Sequence, residues 1–323
     1  MRAMNVLVLA MAWVLGTTPA SAQGSFRSNG PVTIVVPYAA GGPSDGLLRP
    51  LAPQLQAQWG QPVIIDNRPG ANGTIGVQYV QSRPADGKTL LFHITALIQN
   101  IALYKNLPYD PFRDLAPVVL LGRQNNALVV PEDSPYKTVQ DLVAAIKANP
   151  EKFAYGSYGN GSTTHIYGKL FAFALGVDIP HLAFKGEGPV LTEILAGRLP
   201  FSFTSAASAA VRAKDGSMRV LAQTGPARTK FFPDVPTMAE VGYPQFELTG
   251  WWGIFMPSGA PKSIRDQIAN DLRAVLRQPE LQARLDALAL EPSASTPEQV
   301  MAEIKHETEQ WVRITRQFNI SLD

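Results

Sequence analysis

Val32-Thr33-Ile34-Val35-Val36-Pro37 runs directly into Tyr38-Ala39-Ala40-Gly41-Gly42-Pro43-Ser44-Asp45. The first six residues are apolar or β-branched almost without a break, the pattern of a strand covered on both faces in a parallel sheet. The next eight are small and glycine-rich, as a turn requires. Leu47, Leu48, Leu51, Leu55 and Trp59 then recur on one face at helical spacing. The unit reads strand, loop, helix. Pro50 and Pro53 fall inside the helical stretch, where each lacks a backbone donor, so the pattern predicts a bent or late-starting helix.

The same alternation repeats along the chain. Strands are predicted at 63–66, 89–94, 118–121 and 127–130, with a helix at 74–82. Thr138 caps a helix reaching 149, a strand follows at 153–155, and Ser162 or Thr163 opens a helix ending near Leu175. Short strands at 181–184, 200–203 and 220–223 follow, with a helix at 189–196 between the first two. This order predicts an α/β fold with a mostly parallel sheet. The tail is helical: Pro261 stands at a first helical position, and Thr296-Pro297-Glu298-Gln299 is a capping box.

Length, ends and composition bound the function. A chain of 323 residues exceeds the size at which one hydrophobic core stays single, so two lobes are expected. Arg2, an apolar run over 6–15 and Ala20-Ser21-Ala22 form the three parts of a secretory signal peptide. Residues 1–22 are therefore expected to be removed on export, leaving a mature chain that starts near Gln23. The absence of cysteine excludes disulfides, thiolate metal sites and a cysteine nucleophile. A formal charge of +2 is too near neutral for a nucleic-acid partner or an anionic membrane surface.

Two loops carry the chemistry. In the loop at 38–45, glycines allow close approach of a ligand to the backbone, and the following helix start favours an anion. An ordinary tight turn, with Ser44 or Asp45 capping its own helix, explains the same residues equally well. Gly156-Ser157-Tyr158-Gly159-Asn160-Gly161-Ser162-Thr163-Thr164-His165 has the same strand-to-helix design and adds hydroxyl donors. If the two loops belong to different lobes and face one cleft, each holds one end or one face of an anionic ligand. Gly159-Asn160-Gly161 also suggests a dinucleotide loop, but Thr164 stands in place of the third glycine.

Enzyme signatures are missing. There is no nucleophile elbow, zinc-protease or phosphate-loop motif, and His93, His165, His181 and His306 are not spaced as metal ligands. No metal or cofactor is expected. His165 reads more simply as a helix-start residue bonded to backbone than as a general base, because no nucleophile or orienting carboxylate stands beside it. Trp251 and Trp252 alternate on a strand, so at most one faces a cleft, and both suit core packing. Lys185 either strengthens an anion site or pairs locally with Glu187.

These segments together resemble a known family. Pro37 to Asp45, then Asp66-Asn67-Arg68-Pro69-Gly70-Ala71-Asn72-Gly73 with Gly76, then Pro84-Ala85-Asp86-Gly87-Lys88-Thr89-Leu90, are similar to the substrate-binding proteins of tripartite tricarboxylate transporters, the Bug family. Ser162 to His165, Phe184-Lys185-Gly186, Asp234-Val235-Pro236-Thr237, Gly253-Ile254-Phe255 and Pro257-Ser258-Gly259-Ala260-Pro261 continue the match across the mature chain. The resemblance implies a two-lobed periplasmic binding protein, a Venus flytrap with two crossing strands between its lobes. Residues 23–122 plus 247–323 would form one lobe and 123–246 the other.

It further implies a small organic carboxylate as ligand, membrane transporter subunits as partners, and a monomer. The expected ligand contacts are Tyr38, Ala40, Gly41, Gly42, Ser44 and Asp45 of the first loop, together with Thr95. On the other side they are Ser157, Gly161, Ser162, Thr163, Thr164 and His165, with Lys185 and Thr204. Thr204 stands where many members carry an aspartate, which disfavours a ligand ammonium group. The rival readings are a ligand-sensing subunit of a membrane receptor and a periplasmic hydrolase using His165 with a serine.

Overall fold

The computed structural model describes residues 30–293, 295–318 and 320–321. The signal-peptide reading of residues 1–22 lies outside them. The chain runs β1 (Val32–Val36), α1 (Pro43–Trp59), β2 (Val63–Asn67), α2 (Thr74–Gln81), β3 (Thr89–Ile94), α3 (Ala96–Leu103), α4 (Pro111–Asp114) and β4 (Leu115–Gln124). It continues with β5 (Asn126–Pro131), α5 (Val139–Ala148), β6 (Tyr155–Ser157), α6 (Thr163–Leu175), β7 (His181–Ala183), α7 (Glu187–Leu195), β8 (Phe201–Ser205), α8 (Ala206–Lys214) and β9 (Met218–Gln223). Last come β10 (Gly250–Pro257), α9 (Lys262–Leu276), α10 (Pro279–Ala287) and α11 (Pro297–Gln317). Among the described residues no helix is long and apolar enough to cross a membrane.

The strands form two five-stranded sheets, ordered β2-β1-β3-β10-β4 and β7-β6-β8-β5-β9. Each sheet is mixed, which corrects the expectation of mostly parallel pairing. β1 pairs in parallel with β2 and β3, and β6 with β7 and β8. β10 runs antiparallel to β3 and β4, and β5 antiparallel to β8 and β9. The antiparallel strands are those at the crossings between sheets, and a segment returning from the other sheet enters in the reverse direction. Only Asn125 separates β4 from β5, and 224–249 form the return path. The two crossings lie side by side, with Gly250 paired to Gln124 and the Thr224 N–H donating to the Asn126 carbonyl.

α1 begins at Pro43 and continues through both internal prolines, so the late start is also corrected. A proline at the first helical position forfeits no helical bond. The carbonyls that Pro50 and Pro53 leave without a donor belong to Gly46 and Arg49, both on the exposed face where water replaces the lost donor. Leu47, Leu48, Leu51 and Leu55 are fully buried against the sheet. Burying each such side chain contributes about 2 kcal/mol, which holds the helix despite its prolines.

Trp251 and Trp252 occupy opposite faces of β10, as strand alternation demands. The Trp251 indole N–H donates to Glu307 Oε2 at 2.9 Å, and Trp252 meets Phe92 edge-on. Glu307 also pairs with Arg123 at the crossing, 2.7 Å away. α11 packs on α3 and β4, and its Trp311 also reaches the Tyr167 ring of α6. The C-terminal helix therefore braces both sheets from behind the crossing strands.

Candidate ligand-binding cleft

In each sheet the parallel strands end at the same opening, and a helix starts after each of them. The β1–α1, β2–α2 and β3–α3 loops of one sheet face the β6–α6, β7–α7 and β8–α8 loops of the other across a cavity of about 960 Å³. This is the carboxyl end of α/β sheets, where helix starts present N–H groups and positive dipole ends. α1, α2, α3 and α7 begin with no side-chain cap, while Ser162 and Ser205 cap α6 and α8. The N–H groups of Ser44, Ala96, Thr163 and Thr164 bond to no described residue. A second hollow of about 870 Å³, between α11 and the return path, is lined by no such helix starts.

The first loop is held in shape by Asp45. Its carboxylate accepts from the Gly41 N–H at 2.8 Å, from Arg49 Nε at 2.9 Å and from Asn67 Nδ2 at 3.1 Å. Burial alone would raise the Asp45 pKa, but these donors outweigh it and hold the group below the ordinary carboxylate range. Gly41 takes φ +81°, a left-handed backbone that glycine adopts without strain. Gly42, by contrast, is extended at φ −78° and is glycine for space, since it lines the cavity.

The second loop is locked by its own polar groups. Ser162 Oγ accepts from the His165 N–H, and the Gly161 N–H donates to His165 Nδ1 at 3.1 Å. The His165 ring stacks on His181, with centroids 4.0 Å apart, and His181 Nε2 lies 2.6 Å from Ser157 Oγ. Burial, then His181 and Lys169, pushes His165 down to about 4, so it is neutral near pH 7. Ser157 is fully buried, and its hydroxyl also donates to the Gly159 carbonyl. The Ser157–His181 pair therefore braces the loop from behind.

Two formal charges line the cavity among the described residues, Lys185 and Glu187. They do not pair with each other. Glu187 Oε1 instead accepts from Tyr158 Oη, from Ser205 Oγ at 2.7 Å and from the Ser205 N–H at 3.0 Å. Burial and then the Glu187 charge raise Tyr158 well above its ordinary value, so its hydroxyl remains a donor. Lys185 is exposed at the mouth, with no ion-pair partner among the described residues.

Residues 47–320 match the model of the tripartite tricarboxylate transporter family receptor. The chain belongs to this family. It is 32% identical over 314 residues to a UPF0065 protein from the tcbD-tcbE intergenic region of Pseudomonas sp. strain P51, covering 97% of this chain and 93% of that one. The solved periplasmic binding protein BugD superposes with a TM-score of 0.80 at 30% identity, covering 90% of this chain and 98% of BugD. An R. palustris protein solved with adipate gives a TM-score of 0.82 at 30% identity, covering 91% and 99%.

The structure brings together, on the wall of this receptor's cleft, Tyr38, Gly42, Ser44, Thr95, Ser162, Thr163, Thr164 and Lys185 of the expected contacts. Ala40, Gly41, Asp45, Ser157, Gly161, His165 and Thr204 are not on that wall. Asp45, Ser157 and Thr204 are buried behind it, and His165 accepts from its own loop. Asn72, Tyr158, Glu187, Ser205 and Asn126 line the cleft and were not expected there. Of these, Ser205 stands before an alanine-rich helix and caps it, which is a readable cap signal. Across the cleft, Thr163 Oγ1 donates to Gln99 Oε1 at 3.1 Å, joining the two walls directly.

Proposed function

We propose that this receptor-family protein closes its two lobes on a small organic carboxylate and delivers it to a membrane transporter. The observation that carries the reading is the convergence of six helix starts, three from each sheet, on a cavity with one carboxylate on its wall. Free N–H groups and dipole ends favour an anion. The adipate-bound relative supports the same class of ligand. The hinge is taken to lie at Asn125 and near residues 247–249, separating a lobe of 23–122 plus 247–323 from one of 123–246.

The protein acts in the periplasm as a monomer and performs no chemical step on its ligand. The buried Ser157–His181 pair supports this reading, since its hydroxyl faces the loop interior and not the cavity. A thermal-shift panel of mono-, di- and tricarboxylates tests it. A ligand that binds only the folded state raises the melting temperature by mass action. Stabilisation by at least one acid, with the acid recovered unchanged, is expected. No stabilisation by any carboxylate at millimolar concentration defeats the reading.

A further inference from the structure

Glu187 sets an unexpected condition on any anionic ligand. It is the one acidic side chain among the described residues lining the cleft, and it belongs to the same wall as the α6 start. The Gly186 N–H donates to the Tyr158 carbonyl and the Tyr158 N–H to Thr164 Oγ1, which ties the Glu187 segment to that helix start. Three donors on Oε1 fix the carboxylate, and they account for its structural role at the start of α8. They do not account for Oε2, which accepts no hydrogen bond from any described residue.

A carboxylate oxygen needs donors, and removing it from water without one is costly. In the open cleft, water supplies them. When a ligand displaces that water, a donor on the ligand restores the bond, whereas a ligand without one leaves Oε2 unpaired beside a second negative charge unless the Lys185 ammonium of the same wall turns to it. Thr204, buried behind the wall, provides no carboxylate for a ligand donor, but Glu187 brings one to the backbone of the next residue, Ser205. A ligand donor that finds no carboxylate at Thr204 therefore has one within the same wall, at Glu187.

Resting on the carboxylate-capture reading, we propose that Glu187 is a specificity-determining residue that selects organic acids carrying a hydrogen-bond donor, a hydroxyl or ammonium group, through its free Oε2. Acids that offer only methylene or carboxylate to Oε2 bind weakly. A site built to hydrogen-bond a substrate group rejects the analogue lacking it more strongly than a hydrophobic pocket rejects a missing methylene.

The test uses matched acids that differ only in the donor: succinate, malate and aspartate, and glutarate, 2-hydroxyglutarate and glutamate, with both enantiomers of each chiral acid. Their affinities are measured by calorimetry on the full mature chain and on Glu187→Gln. That substitution keeps an amide oxygen for Tyr158 and Ser205 and turns the free oxygen into a donor. An unchanged melting temperature of the unliganded variant establishes that the wall is intact.

The wild type is expected to bind at least one donor-bearing acid about tenfold or more tightly than its parent acid. In Glu187→Gln that ratio falls toward one, because the parent acid gains affinity and the donor-bearing acid loses it. A hydroxyl preference and an ammonium preference are told apart by which series responds. Parent acids that bind the wild type as tightly as their derivatives, or a ratio that survives in Glu187→Gln, overturn this proposal and leave carboxylate capture standing. Failure of every acid in both series and in the wider panel overturns carboxylate capture itself.

Discussion

Gly42 offers the cleanest separation of binding from folding. At φ −78° and ψ 178° it has the extended backbone of a helix N-cap, and a Cβ added there meets only the Ala39 carbonyl oxygen, at 3.4 Å. Asparagine fits that conformation, and its side-chain oxygen accepts from the first N–H groups of α1. It therefore occupies the donors assigned to the ligand. Relative to glycine, an asparagine N-cap adds a few tenths of a kcal/mol of stability. A bound carboxylate loses one charge-assisted hydrogen bond and the field of the helix start, together about 3 kcal/mol. That is about a hundredfold in Kd. Calorimetry with the tightest acid of the panel, paired with thermal melts, measures both quantities. Gly42→Asn should melt at or slightly above the wild-type temperature and bind about a hundredfold more weakly. Gly46→Ala is the control: Gly46 lies on the exposed face of the first turn of α1 with open space around it and is not on the cleft wall, so the change stabilises by about 0.5–1 kcal/mol and leaves binding alone. Undiminished affinity in Gly42→Asn would refute anion capture at α1.

The Thr163–Gln99 bridge across the cleft should contribute to closure. In a double-mutant cycle of Thr163→Ala and Gln99→Leu, the binding penalties are expected to fall short of additive by about 0.5–1 kcal/mol, whereas strict additivity would mean the bridge plays no part. His165→Asn retains an acceptor for the Gly161 N–H, and His165 is not on the cleft wall, so affinity should stay within about threefold of wild type. Any ligand turnover that vanishes in that variant would instead make His165 a catalytic base. His93 is wholly buried, and burial lowers its pKa from 6.5 to about 4. The unfolded chain thus takes up the proton first, and stability that is complete above pH 6.5 declines by about 3 kcal/mol as pH falls to 4. Glu307, raised by burial, opposes this trend above its ordinary value, so the comparison is with His93→Gln, whose denaturation midpoint should fall less steeply over the same range.

The sequence disclosed this site unevenly, and the reason is physical. Gly41, Gly159 and Gly161 take positive φ, so backbone shape had to be written as residue identity, and the two loops were readable. The alternating strands and helices were readable because burial on a sheet imposes an apolar pattern. The strand holding Trp251 and Trp252 is legible too, but the place of β10 between β3 and β4 is not, since it depends on pairing Gly250 with Gln124 far along the chain, which no local pattern encodes. The late start expected from Pro50 and Pro53 does not occur, because propensity ignores the buried leucines that hold the helix.

The ligand contacts divide along the same line. A backbone N–H is common to every residue except proline, so a site built from helix starts leaves little trace in side-chain chemistry, which is why no helix is predicted for α3 or α8 and why Glu187 and Ser205 are absent from the expected contacts. Side chains become informative only where the backbone cannot supply the function. The backbone can donate to an anion at every helix start, but it reaches this cleft with few free acceptors, because the carbonyls point toward the other ends of the helices. Recognition of a donor on the ligand therefore falls to a side chain. Among the described residues lining the cleft, the one carboxylate is Glu187, fixed through one oxygen with the other left free. On the proposed reading, anion capture here comes from helix starts that the fold supplies, while discrimination among anions falls to the few side chains on the wall, Glu187 foremost.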